Sequence, residues 1–171
     1  YYNRCAAQGA NEEQIEESKR AMSKMTAILG HPDRLKKLAA DIVQHYETLC
    51  DEKPEIVQKA MIVCADRKLA FRVLKEILKL RPDWGVAKKC EDENSVAAED
   101  LEQMTEIPKI NLVATRNPDD EQELFDLCGT KEYRQKLDEL FKDTKSNFKI
   151  AIVVDMWITG FDVPSLAVMY I

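Results

Sequence analysis

The chain has 171 residues, 45% of them apolar and 33% charged, with a formal net charge of −6. That length supports a domain with a sizeable core, and no apolar run approaches the ~20 residues needed to span a bilayer. A free-standing nucleic-acid binder is usually basic, so the acidic balance argues that this segment alone holds DNA weakly. The five cysteines (Cys5, Cys50, Cys64, Cys90, Cys128) are odd in number and scattered without a CxxC pair, and only His31 and His45 could add imidazole. A disulfide framework or a zinc site is therefore not expected, and the pattern suits a reducing cytoplasm. The opening Tyr1-Tyr2-Asn3-Arg4 has no signal-peptide character, and the chain ends on an apolar run. Both ends suggest a fragment of a longer polypeptide.

In chain order, Asn11 and Gln14 have capping-box spacing, and Ile15, Met22, Met25, Ile28 and Leu29 lie near one helical face. Gly30 is placed to stop that helix, and His31-Pro32-Asp33 to start another. Leu35, Leu38, Ala39, Ile42, Val43, Tyr46 and Leu49 follow at three- and four-residue steps, a core-facing stripe. Pro54 marks a break, and Ala60 to Cys64 reads as a buried strand. Asp66 is a natural N-cap for a helix whose apolar face is Leu69, Ala70, Val73, Leu74, Ile77 and Leu78. A short strand is predicted within residues 85–90, then an acidic surface loop with a helical turn from Glu91 to Glu106.

Ile110 to Thr115 predicts a further strand. Asn117-Pro118-Asp119-Asp120 is placed to start a helix, with acids at its positive end, and Gly129 to close it. Thr130 caps the next, which carries Tyr133, Leu137, Leu140 and Phe141 on one face. Two apolar runs close the chain, Ile150 to Val154 and Ala167 to Ile171. Strands alternating with helices imply right-handed crossovers and a parallel sheet covered on both faces.

Ligands of such folds bind just past the carboxyl ends of the strands, which singles out two turns. The first is Cys64-Ala65-Asp66-Arg67-Lys68, where a helix N-terminus and two cations suit a phosphate, including one on a DNA backbone. Read as plain structure, it is an N-cap followed by solvated basic residues. The second runs from Asp155 to Asp162: Gly160 permits close backbone approach, Thr159 offers a hydroxyl, and Asp162 can accept from a ribose hydroxyl. Trp157 and Phe161 serve there as stacking surfaces or as plugs, and the structural alternative is a simple connection stopped by Pro164. A G-x-x-x-x-G-K-[ST] phosphate loop and a strand ending in paired magnesium acids are both missing.

Four stretches carry a resemblance to a known family: Lys59 to Phe71; Ile110 to Thr115 with Asn117 to Asp120, Glu123 and Leu124; Leu140 to Trp157; and Ile158-Thr-Gly-Phe-Asp-Val-Pro164. Gly30 to Leu35 and Asp41 to Tyr46 are similar to the family's approach to this region. Together they resemble the second RecA-like motor domain of superfamily 2 helicases and translocases, and more closely the R subunit of type I restriction enzymes. The resemblance implies an α/β, RecA-like (P-loop NTPase type) three-layer domain with a mostly parallel sheet. That domain would be truncated and would occupy residues 51–171, after a helical lead-in at 1–50. Motif V would be supplied by Gly160 and Asp162 toward ATP and by Thr159 toward DNA. The turn Ala65, Asp66, Arg67 and Lys68 would touch the DNA backbone in the place of motif IV.

ATP and Mg²⁺ would be cofactors of the full-length protein, with their remaining ligands outside this chain. The implied partners are double-stranded DNA, the first RecA-like domain of the same polypeptide, and modification and specificity subunits, in the cytoplasm and without a membrane. Val154 stands where many such motors have a Thr before the motif V Asp, so that phosphate contact is not carried over. The nuclease domain and phosphate loop would precede Tyr1 and motif VI would follow Ile171, so the chain alone is expected to be inactive. The same residues are compatible with another superfamily 2 helicase, or with a non-catalytic α/β module that only docks partners.

Overall fold

The computed structural model describes residues 16, 17, 20, 30–92, 96–157 and 161–171. By internal packing the chain divides into Tyr1–Leu35 and Lys36–Ile171, and the second unit contains the sheet. The helical face predicted from Ile15 to Leu29 lies outside the described residues.

Helix α1, Pro32–Glu52, opens on proline directly after the Gly30-His31 turn, where a missing N–H is harmless. Ala39, Ile42, Val43 and Tyr46 of its stripe are buried, whereas Leu38 is 43% exposed. At 100° per residue Leu38 falls on the flank of the stripe, so spacing alone over-assigned it to the core. The Tyr46 hydroxyl donates to the Gln58 carbonyl at 2.8 Å, and its ring meets Trp84 edge-on. Burial pushes the Tyr46 hydroxyl pKa well above the ordinary range.

Four strands follow: β1 (Lys59–Val63), β2 (Ile110–Val113), β3 (Ile150–Val153) and β4 (Leu166–Tyr170). They form one sheet in the order β2-β3-β1-β4, with every pairing parallel. Ile110, Ile150 and Ala60 lie in register across the three inner-paired strands, as do Val113, Val153 and Val63. Between strands run α2 (Arg67–Leu80), a 3-10 turn (Pro82–Gly85), α3 (Ala98–Gln103), α4 (Gln122–Cys128) and α5 (Lys131–Lys142). This is the α/β architecture expected of a RecA-like domain.

Strand residues alternate between faces. Met61, Val113, Ala151 and Val153 pack with Leu137 and Phe141 of α5 and with Phe148 and Val163. Helix α2 lies against β2 and β3 and buries Ala70, Phe71, Val73, Leu74 and Ile77. With layers on both faces, β1, β2 and β3 need apolar residues at successive positions, which is why they read as continuous apolar runs. β4 differs: it and β2 are the two edges of the sheet, but β2 is buried throughout whereas Ala167 and Met169 of β4 are exposed. β4 is thus only half-covered rather than the buried strand its composition suggests.

Two elements depart from the sequence pattern. Residues 85–90 form no strand; Gly85 ends the 3-10 turn, and Lys88 makes an isolated antiparallel bridge to Ile107. Asn117 to Asp120 form a turn ahead of α4, closed by the Asp120 N–H donating to the Asn117 carbonyl at 3.0 Å. The helix itself starts at Gln122, without a side-chain cap. The acidic loop does contain its helical turn, α3.

Lys59 occupies the amino end of β1 and is fully buried. Its ammonium donates to the Phe141 carbonyl and, at 2.8 Å, to the Asp143 carbonyl, which ties β1 to the end of α5. Burial, and then the neighbouring Lys149, push its pKa down from 10.5 to about 8. Lys149 is shifted the same way, again mainly by burial. A lysine with a depressed folded pKa binds fewer protons folded than unfolded, so stability rises with pH between about 8 and 10.5. Stability from urea unfolding should therefore increase by about 1 kcal/mol between pH 7 and 9. Lys59→Met should lose most of that gain; an equal gain in the variant would show that Lys59 is not its source.

Candidate functional site at the carboxyl ends of the strands

The first predicted turn begins where β1 ends. Cys64 is buried and its N–H donates to the Val153 carbonyl at 2.9 Å, so the turn starts beside the end of β3. Burial, and then Asp66, push the Cys64 thiol up to about 12, which keeps it protonated and unreactive at neutral pH. Asp66 takes the extended conformation of an N-cap, and its Oδ1 accepts from the Leu69 N–H at 2.8 Å. The predicted cap is therefore formed, and its carboxylate is spent on the helix. Ala65 and Lys68 are exposed.

Arg67 is held from across the sheet. Its Nε donates to Asp120 Oδ2 at 2.9 Å and its Nη2 to Asp120 Oδ1 at 3.3 Å. The Asp120 side chain is only 2% exposed against 28% for Arg67, and its Oδ2 also accepts from the Asn117 N–H at 3.2 Å. The side-chain bond to Asp120 raises the Arg67 pKa further. Since β3 lies between β1 and β2, this two-pronged pair joins the loops on either side of the β3 end. Asp120 is thus an ion-pair partner rather than the helix-start acid that its position suggested. Arg67 leaves Nη1 for other contacts.

The second turn leaves β3 through Val154, which is buried, and Asp155, which is exposed. Asp155 and Trp157 adopt φ of 53° and 61°, the left-handed region that costs a non-glycine residue on the order of 1 kcal/mol. Packing offsets that cost. The Trp157 ring lies flat on Phe161, with centroids 4.3 Å apart and planes 6° apart, and on Phe141 at 5.5 Å and 24°. Aromatic pairs of this kind contribute about 0.5–1.5 kcal/mol each beyond area burial. The two rings are therefore plugs over the core and not free stacking surfaces. Asp162 follows Phe161 and is exposed, while Val163 beside it is buried. Thr159 and Gly160 lie outside the described residues.

Farther along this edge, Gly129 closes α4 at φ 60°, and a Cβ there would sit 2.1 Å from the Tyr133 ring, so glycine is required. Thr130 caps α5 as predicted, accepting from the Tyr133 N–H at 3.2 Å. Among the described residues there is no cluster of side chains suited to a metal ion, and no helix long and apolar enough to cross a membrane. The structure thus brings Ala65, Asp66, Arg67 and Lys68 to the edge on which the Asp155–Asp162 turn begins. It adds Asp120 to that edge, through a partner 53 residues away in sequence, and sets Phe141 under the Phe161 end of the turn, 20 residues away, near Lys59 at the amino end of β1.

Comparison with known proteins bears on the family of the chain. The family model described as type I restriction enzyme subunit R domain 3 matches residues 42–171. The HindI endonuclease subunit of a type I restriction enzyme from Haemophilus influenzae is 33% identical over 145 residues, covering 84% of this chain and 12% of the relative. A Methanocaldococcus jannaschii protein named as the MjaIXP endonuclease subunit of a type I restriction enzyme is 32% identical over 163 residues, covering 94% of this chain and 13% of the relative. The chain thus spans about an eighth of the length of these relatives. No solved structure gives a significant match. With the family model covering all of the sheet and its connecting helices, the chain belongs to the family of type I restriction enzyme subunit R, domain 3.

Proposed function

We propose that this chain supplies the second RecA-like half of an ATP-driven DNA translocase within the endonuclease subunit of a type I restriction-modification system. The observation that supports it most is that both turns leave the carboxyl ends of neighbouring parallel strands, β1 toward exposed Lys68 and β3 through exposed Asp155, from which the chain runs on past exposed Asp162 to the amino end of β4. Ligands of open α/β sheets bind at such an edge. In this reading Asp162 accepts from the ATP ribose and Gly160 lets the backbone approach. Thr159, with the turn Ala65, Asp66, Arg67 and Lys68, meets DNA phosphates. Asp66 acts by capping α2, so that free backbone N–H groups and Lys68 face the phosphate. Arg67 offers the amino group that Asp120 leaves unused. Contacts of this kind are blind to base sequence, as translocation requires.

In this reading the turn contributes half of a nucleotide site, with exposed carboxylates at Asp155 and Asp162. ATP and Mg²⁺ would be held mainly by the first RecA-like domain of the same polypeptide. The modification and specificity subunits would supply the DNA target, in the cytoplasm. ATP, when bound, supplies the energy of phosphoryl transfer; the residues here orient it and its DNA track. In the full-length subunit, Asp162→Ala should lower DNA-stimulated ATPase roughly tenfold, the scale of one lost charge-assisted hydrogen bond. The melting temperature should stay unchanged, because Asp162 is exposed. Unaltered turnover at subsaturating ATP and saturating DNA would sink the assignment.

A further inference from the structure

We propose that Trp157 is a positioning residue, whose ring, clasped between Phe161 and Phe141, fixes the turn bearing Asp162 against α5 and so sets nucleotide affinity. The inference rests on the motor reading above. The three rings are near-parallel: Trp157 on Phe161 at 4.3 Å and 6°, Trp157 on Phe141 at 5.5 Å and 24°, Phe141 on Phe161 at 6.2 Å and 19°. Phe141 is fully buried at the end of α5 and also packs on Phe148 at 4.8 Å, so it is the fixed member. The next residue, Lys142, places its ammonium 4.9 Å from the Phe161 ring centre, a second hold from the same helix.

Trp157 and Phe161 are the half-buried, outer members of the cluster. Phe161 is covalently next to exposed Asp162, so the stack ends at the one acid assigned to the nucleotide. The backbone supports a positioning role. Trp157 holds a left-handed conformation, 61°, that a tryptophan does not adopt without surrounding packing to enforce it. Without the ring, that conformation loses its restraint, and the turn can relax to geometries in which Asp162 no longer meets the ribose. Side-chain contact with ATP is not required of Trp157.

The test compares Trp157→Ala, Trp157→Phe and Asp162→Ala in the full-length subunit assembled with its partner subunits, with ATPase followed against ATP concentration at saturating DNA. Trp157→Ala should raise the KM for ATP roughly tenfold while kcat stays within about twofold, and Trp157→Phe should recover most of the loss. If Trp157→Ala melts too low to assay, Phe161→Leu removes the flat partner instead, and the same KM rise is expected. An unchanged KM in a folded Trp157→Ala or Phe161→Leu protein overturns the inference. So does a Trp157→Phe protein as impaired as the alanine variant. If Asp162→Ala is impaired and the Trp157 variants are not, the positioning role fails alone. If Asp162→Ala is itself normal, the motor assignment fails with it.

Discussion

Phe141→Ala is expected to lower the unfolding free energy by about 3–5 kcal/mol, the range for removing a fully buried phenyl ring. The ring is 0% exposed, within 4.8 Å of Phe148 and 5.5 Å of Trp157, and it lies beneath the ammonium of Lys59 at 5.1 Å. A cavity there opens under α5 and under the turn after β3 together. Single domains are stable by only ~5–15 kcal/mol, so urea unfolding should move to a much lower midpoint. Phe141→Leu keeps most of the apolar volume and should cost roughly half as much. A loss below about 1 kcal/mol in the alanine variant would mean that the rings repack and that Phe141 is not the anchor described.

Asp120→Ala should cost about 2–3 kcal/mol, well beyond an exposed ion pair. Exposed pairs contribute roughly 0.2–1 kcal/mol because water screens them and ordering two side chains opposes them. Here the carboxylate is 2% exposed, accepts two bonds from one guanidinium and a third from the Asn117 N–H. Removing it leaves Arg67 and that N–H without partners on the protein side. A double-mutant cycle with Arg67→Ala should give a coupling above ~1.5 kcal/mol; a value near 0.5 kcal/mol would reduce the pair to an ordinary surface contact. Because the pair joins two loops at the carboxyl edge, Asp120→Ala should also weaken DNA binding by the full-length subunit, whereas Lys68→Ala should weaken it without loss of stability.

The strands were legible because a sheet covered on both faces demands apolar side chains at consecutive positions, and turn residues bound each run. Ile150 to Val153 is an example: its pattern belongs to a strand whichever strands flank it. The caps at Asp66 and Thr130, and the stop at Gly129, were legible for a local reason, since partner and conformation lie within four residues. Asp120 was not. Two acids after Asn-Pro suit a helix start, and nothing nearby in sequence shows that a guanidinium 53 residues earlier claims one of them. β4 was overestimated because its composition suits burial, and only the packed structure shows that one of its faces is left uncovered, unlike β2 at the other edge. Trp157 and Phe161 were visible as a pair of aromatics, but whether they face solvent or core depends on where α5 ends.

By itself the sequence determined the class of fold and the positions of four strands, singled out two turns as candidates for a ligand, and carried the family resemblance in its motifs. Those features are set by periodicity, by apolar runs and by turn chemistry, all short-range. Only the tertiary structure decided the strand order, the engagement of Arg67 by Asp120, the burial of Lys59 against the end of α5, and the stacking of Trp157 and Phe161 on Phe141. Each of those depends on groups brought together from distant parts of the chain, where burial strengthens an ion pair or a stack that would be weak in water. A local pattern carries no record of that environment.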